Sequence, residues 1–138
     1  MTAQIDFYII NVLDLSQASN FITKLVNKAY HLNNPLMIKG DNSLLQRVDS
    51  ILWQNFDFIP HHFDQSLQAI VVKKRSESKA NILLTLDADS TTNIANWHRV
   101  IHIVSSNDKQ KLAAREAYRY YQQLGLTIKT HKIRTLND

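Results

Sequence analysis

Three cationic side chains and one tyrosine recur at helical spacing near the end of this chain. Lys111, Arg115, Tyr118 and Arg119, which we call the cationic stripe, lie within the segment NDKQKLAAREAYRYYQQL. Because a helix brings residues three and four apart onto one side, they share one side of the helix predicted at residues 107–124. Guanidinium and ammonium groups beside an aromatic ring suit an acidic, flexible ligand. An ordinary solvated helix face has the same periodicity and is the alternative interpretation.

The opposite side of this predicted helix is small and apolar. Ala113, Ala117, Tyr120 and Leu124 form this arc. We expect the arc to pack on a sheet and to leave the cationic stripe facing outward. The preceding run SSND offers side-chain oxygens that can cap the first turn, and Gly125 is suited to the left-handed conformation that ends many helices.

Two aspartates at the end of an apolar segment are a candidate magnesium site. Asp87 follows NILLTL, and Asp89 lies two residues further on, an arrangement that would suit a degenerate hydrolase or nucleotide binder. A phosphate loop or dinucleotide fingerprint, however, needs closely spaced glycines, and the chain contains only Gly40 and Gly125. The sequence therefore favours a buried strand followed by a solvated turn.

The histidines form no recognisable metal motif. His61 and His62 are adjacent, so on an extended chain they point to opposite sides. His98 and His102 lie four apart, but the β-branched residues around His102 predict a strand, on which the two rings are roughly 13 Å apart. The HExxH and GxSxG motifs are absent. We therefore expect no metal, no cofactor and no catalytic residues, and a protein that is not an enzyme.

An aromatic cluster follows the second predicted helix. It consists of Trp53, Phe56, Phe58, Ile59 and Pro60. Such a cluster is either a corner of the core or an apolar docking patch for another protein.

Composition is typical of a globular chain, and the mild positive charge permits an acidic partner. The 138 residues, 44% apolar and 20% charged, fit one domain at residues 1–138. The net charge of +4 permits acidic ligands, and the basic loop at residues 73–79 is either solvated or a phosphate contact. The chain has no cysteine, no secretion signal and no apolar run approaching the ~20 residues that cross a bilayer. We expect a cytoplasmic protein without a membrane partner.

Strand-like and helical segments alternate along the chain. β-branched and apolar runs predict strands at residues 5–12, 36–38, 69–72, 81–86, 99–104 and 126–133, the last of them a basic edge strand. Helical periodicity predicts one helix from Ser16 to about residue 32, a second from Asp41 or Ser43, a short one at 94–97 and the last at 107–124. This alternation is typical of the α/β class, with a mostly parallel sheet flanked by helices in a single domain.

Several segments together resemble the chi subunit of bacterial DNA polymerase III, an accessory subunit of the clamp-loader assembly. They are FYII near the start, LLQRVDSILW and FIPHHF in the middle, and ANILLTL and KLAAREAYRYYQQLGL towards the end. None is a catalytic motif, but their order and spacing extend over nearly the whole chain. The resemblance implies a non-enzymatic α/β adaptor with a nucleotide-binding-like topology but no phosphate loop.

The resemblance also implies two protein partners. One is the psi subunit, which links chi to the clamp loader, and the other is single-stranded DNA-binding protein, whose acidic C-terminal tail ends in an apolar residue with a free carboxylate. The family's tail-binding positions fall on the cationic stripe, with apolar support from Val104. The family's tryptophan and its aromatic-aliphatic-proline step fall on Trp53 and on Phe58, Ile59 and Pro60, which implies contact with psi or with a competing helicase. DNA is then contacted mainly indirectly.

A module that binds single-stranded nucleic acid directly is the alternative function. In that case Tyr118 stacks on a base and the neighbouring cations follow the phosphates.

The sequence departs from the family pattern at two places. Ser105 and Ser106 stand where the family can have a proline and an aromatic residue. The stretch between Phe63 and Ala69 is short and lacks a glycine-rich insertion.

Overall fold

The computed structural model describes residues 3–32, 34–54, 61–64, 69–72, 80–90 and 94–133, and these contain seven strands and three α-helices. The strands are β1 (Gln4–Ile10), β2 (Leu36–Lys39), β3 (His61–Asp64), β4 (Ala69–Val72), β5 (Ile82–Thr85), β6 (Arg99–Ser105) and β7 (Thr127–Ile133). The helices are α1 (Ser19–His31), α2 (Asn42–Gln54) and α3 (Asp108–Gln123), with 3-10 turns at Leu15–Ala18 and Ile94–Asn96.

The strands form one open, mostly parallel sheet in the order β3-β4-β2-β5-β6-β1-β7. All neighbours from β2 to β7 in this order are parallel, whereas β4 is antiparallel to both β2 and β3. The α/β class and the mostly parallel sheet predicted from the alternation of elements are confirmed, and β7 is the edge strand that its lysines predict. None of the helices in the described part of the chain is both long and apolar enough to span a bilayer.

Apolar residues pack on both faces of the sheet. On one face, α1 and α2 bury a stripe that includes Ile22, Val26 and Leu45 against Ile38 and its neighbours. On the other face, α3 covers β1 and β6, where Ala114, Ala117 and Tyr121 pack against side chains that include Phe7 and Val100. The sheet therefore has a core on each side, as expected for a parallel sheet with buried strands.

Three of the sequence predictions differ from the structure in detail. The first helix does not begin at Ser16, because Asp14 Oδ1 accepts from the Ser16 N–H at 2.9 Å and caps a 3-10 turn, and α1 starts only at Ser19. The first strand ends at Ile10, two residues before the predicted end. Strand β3 was not predicted, because the sequence HHFD contains none of the β-branched residues that indicate a strand.

The predicted packing face of α3 is wrong by about one residue. Ala117 is buried as expected, but Tyr120 and Leu124 are each 45% exposed, and the inward positions belong to Ala114 and Tyr121. The helix is thus rotated so that the cationic stripe does not point directly away from the sheet. Tyr121 turns inward because its hydroxyl has a polar partner in the core, which a pattern of apolar residues does not indicate.

Candidate functional site

Hydrogen bonds join the carboxyl ends of β6, β1 and β7 at one end of the sheet. Ser106 donates from its N–H at 2.7 Å and from its Oγ at 2.9 Å to the carbonyl of Val12, which follows β1. The Asn11 N–H donates to the Ile133 carbonyl at the end of β7 at 3.1 Å. These contacts hold three parallel strand ends side by side. Open α/β sheets commonly bind ligands just outside the carboxyl ends of their strands.

Helix α3 begins directly above these strand ends. Asn107 Oδ1 accepts from the N–H groups of Lys109 at 2.9 Å and Gln110 at 3.4 Å, as the capping oxygens of SSND predict. Gln110 Oε1 in turn accepts from both the N–H and the Oγ of Ser105, each at 2.8 Å. The turn from β6 into α3 is therefore fixed at both ends, and it sets the position of the cationic stripe.

A groove of about 690 Å³ lies between α3 and the ends of β1 and β7. All five residues predicted for one site, the cationic stripe and Val104, line it. Its floor is apolar and includes Phe7, Ile9 and Val104, while Thr130 and Lys132 of β7 form the wall opposite α3. The structure thus brings together residues that are separated by more than a hundred positions in the sequence.

The members of the cationic stripe differ in their exposure. Arg115 and Arg119 are exposed, Lys111 is half-buried, and Tyr118 is 36% exposed. The Tyr118 ring lies over Phe7, with ring centroids 6.1 Å apart and planes tilted by 41°. A tyrosine supported in this way presents a rigid apolar surface beside cations that remain accessible to solvent.

Positive charge dominates the groove. Lys111, Arg115 and Arg119 on α3 face Lys132 on β7, and no carboxylate lines the groove among the residues that the structure describes. Sequence reasoning missed Phe7, Thr130 and Lys132, although the alternation of β7 could have identified the last two once their strand was placed beside β1. The arrangement can hold an anionic group above an apolar floor.

The floor of the groove rests on a buried polar contact. His102 is fully buried, and its Nε2 lies 2.8 Å from the Tyr121 hydroxyl while its Nδ1 lies 3.0 Å from the Asp87 carbonyl. Phe7 stacks on the His102 ring at 4.8 Å. Burial lowers the pKa of His102 from 6.5 to about 4, although the Asp87 carbonyl and the Asp89 charge oppose the shift. At neutral pH this histidine is uncharged. It is a core residue, whereas His98 is exposed, so the two do not form a metal-binding pair.

A second buried polar group fastens β7 to the sheet. Asp6 of β1 accepts from Arg99 Nε at 2.7 Å and from His131 Nε2 at 3.0 Å. Burial by itself would raise the pKa of Asp6, but the hydrogen bonds from Arg99 and His131 outweigh it and hold the pKa below 3.8. His131 also stacks on Tyr8, with ring centroids 4.4 Å apart. Strand β7 is therefore held by side chains as well as by its ladder to β1.

Burial and neighbouring charges act on Asp87, the first of the two aspartates after β5. Burial, and then the charges of Asp89 and Asp41, raise the pKa of Asp87 above 3.8. Within the described ranges, no group of three or more histidine, cysteine or acidic side chains is arranged to hold a metal ion. The magnesium interpretation therefore finds no additional ligand in this part of the molecule.

The predicted psi or helicase surface is only partly visible. Trp53 lies near the end of α2, is 57% exposed, and has its ring 4.8 Å from that of His61 on β3. Phe58, Ile59 and Pro60 lie outside the described residues, as do Phe56 and the basic loop at residues 73–79.

The fold and the groove together define an α/β protein with a cationic groove that has an apolar floor. The model of the family described as DNA polymerase III chi subunit, HolC, matches residues 1–129. The chain therefore belongs to the chi subunit family of DNA polymerase III, whose members are accessory subunits in DNA replication. A relative named DNA polymerase III subunit chi, from Pseudomonas aeruginosa, is 25% identical over 137 residues and is matched across 94% of this chain and 96% of its own length.

Proposed function

We propose that this protein is a non-catalytic adaptor in the cytoplasm that connects the clamp loader, through psi, to the acidic C-terminal tail of single-stranded DNA-binding protein. Membership of the chi family supports a replication role. The observation on which the tail assignment depends is the convergence of the cationic stripe and Val104 on one groove.

Each wall of the groove suits one part of such a tail. Arg115 has a planar fork that can bind the terminal carboxylate with two parallel hydrogen bonds. The last apolar side chain packs between Tyr118 and the floor at Phe7 and Val104. Lys111 and Arg119 attract the acidic residues that precede it. Binding is weak to moderate, because a flexible tail loses conformational entropy when it docks.

The tail assignment is tested by titrating the protein with a synthetic acidic peptide that ends in an apolar residue with a free carboxylate. Arg115→Ala is expected to weaken binding by about 2 kcal/mol, the cost of removing a binding hot spot. Lys109→Ala is the matched control, because it removes one exposed cation from the same helix outside the groove. Equal affinity of the Arg115→Ala variant and the wild-type protein would reject the assignment.

The adaptor role is tested in the assembled system. A pull-down with single-stranded DNA-binding protein should succeed with the full-length partner and fail when its tail is removed. Trp53→Ala should reduce capture of psi, since an exposed tryptophan is a typical interface anchor. Retention of the tail-truncated partner would contradict the proposed bridge.

The same charged groove also suits the alternative of direct single-strand binding, with Tyr118 as a stacking platform. Filter binding of a single-stranded oligonucleotide to the protein alone separates the two functions. Tight binding that is lost in high salt would favour the nucleic-acid module. Binding of the tail peptide that is clearly stronger than binding of the oligonucleotide supports the adaptor.

A further inference from the structure

The outer edge of β7 adjoins the groove and has no strand beside it in the described part of the chain. On its inner side, β7 is paired with β1 over all seven residues, from Thr127 to Ile133. It is the last strand in the sheet order, and no backbone hydrogen bond reaches its outer side from the other described segments. Unpaired main-chain groups at a sheet edge are a template for an added strand.

The direction of each main-chain group on β7 follows from one contact at its end. The Ile133 carbonyl accepts from Asn11, which follows β1, so the main-chain groups of Ile133 face inward. Along a strand these groups alternate in direction from residue to residue. Ile128, Thr130 and Lys132 therefore direct their N–H and C=O groups outward. Thr130 and Lys132 also line the groove, so the free hydrogen-bonding edge begins where the groove opens.

The positive charge of the outer edge of β7 favours an acidic peptide over a second copy of the chain. Lys129 and Lys132 are exposed on β7. A second copy of the chain, paired edge to edge, would bring these like charges together, which is unfavourable. A strand with acidic side chains would instead meet opposite charges on both faces. Because Asp6 and His131 fasten the inner side of β7, the strand can accept a partner without losing its own position.

We infer that an acidic peptide bound in the groove continues along the outer edge of β7 as an additional, hydrogen-bonded strand. This inference rests on the proposed tail-binding function and specifies how the part of the tail before its terminal residues is bound. Main-chain hydrogen bonds to Thr130 and Lys132 supply affinity independent of sequence, and the lysines supply the preference for acidic residues.

The first test removes one outward N–H group. Thr130→Pro deletes this donor and fills the outer side with the proline ring, while the inward ladder to β1 keeps its donors. Thr130→Ala is the matched control, because it removes the side chain and keeps the N–H group. The probes are two synthetic peptides with the same apolar C-terminal residue, one of about ten residues with an acidic body and one of three residues.

The expected result is a selective loss. Both variants lose the Thr130 side chain, which lines the groove, so any loss that they share measures that side chain. Thr130→Pro should bind the long peptide about tenfold more weakly than Thr130→Ala does, whereas the two variants should bind the short peptide equally, since only the long one forms edge hydrogen bonds. Equal binding of the long peptide by Thr130→Pro and Thr130→Ala overturns the added strand and leaves groove binding intact. Failure of both peptides to bind the wild-type protein rejects the tail-binding function itself.

A second test needs no protein variant and decides the question if Thr130→Pro does not fold. Two long peptides are N-methylated on alternate residues, one on odd and the other on even positions of the acidic body. Because a strand directs every second N–H group to its neighbour, only one of the two sets should weaken binding to the wild-type protein. Equal effects of both sets, or no effect of either, would contradict strand addition.

Discussion

At the scale of single residues, two tyrosines three positions apart on α3 have opposite roles. Tyr118 is 36% exposed and covers Phe7 at the groove, whereas Tyr121 is fully buried and its hydroxyl is hydrogen-bonded to His102. The sequence placed Tyr118 correctly beside the cations. It gave no indication of Tyr121, because the polar partner of this residue lies on a strand nineteen positions away.

His102 makes the stability of the fold depend on pH. The pKa of His102 is about 4 in the folded protein, against an ordinary value of 6.5, because burial disfavours the imidazolium. Between these two values the unfolded chain binds a proton that the folded protein does not. The contribution of His102 to the free energy of unfolding is therefore fully present above pH 6.5, and it is lost as the pH drops towards 4. We expect this group to remove about 2 kcal/mol between pH 7 and pH 5.

Urea unfolding of His102→Gln at both pH values checks this prediction. The variant should be less stable at pH 7, because it loses packing against Phe7, but its stability should change less between pH 7 and pH 5. His98→Gln is the matched control, because His98 is exposed. An unaltered pH dependence in His102→Gln would show that other groups are responsible.

At the scale of elements, α3 is positioned by its two ends. Asn107 caps its first turn, and Gly125 follows its last, with φ of 74°. Both end signals were predicted from the sequence, because they depend on neighbouring residues only. The rotation of the helix about its axis was predicted incorrectly, because it depends on which side chains the sheet below accepts.

Gly125→Ala should destabilise the protein through its backbone alone. A methyl group at this position meets no atom within 4 Å, so a clash cannot account for any loss. Alanine in the left-handed region is nevertheless strained, and we expect the free energy of unfolding to fall by about 1 kcal/mol. Urea denaturation measures the loss.

Gly125→Asn is the matched variant, since asparagine tolerates this conformation better than alanine, and it should lose less. Peptide binding should not change in either variant, because Gly125 does not line the groove. Equal stability of Gly125→Ala and wild type would contradict the assigned strain.

At the scale of the whole molecule, local patterns predicted the class of fold but not the full sheet. Buried apolar and β-branched runs identified β2, β4, β5 and β6, and the alternation with helices indicated a mostly parallel order. The position of β7 beside β1, and hence the wall formed by Thr130 and Lys132, depends on contacts more than a hundred residues apart in sequence. The wall on α3 and Val104 of β6 were therefore predicted, and the wall on β7 was not.

The distribution of charge over the molecule leads to a prediction about salt. Four cations and no carboxylate line the groove within the described ranges, in a chain with a net charge of +4. Raising the salt concentration from 0.1 M to 1 M shortens the screening length from ~10 Å to ~3 Å, so the acidic peptide should bind about tenfold more weakly. A peptide with the same terminal residue and free carboxylate, but with amides in place of its other acids, should lose much less, because its apolar contact is not screened. Fluorescence anisotropy at several salt concentrations measures both. Equal salt responses of the two peptides would show that the acidic residues before the terminal one do not interact with the cations of α3 and β7. The contacts of the terminal residue alone would then account for binding.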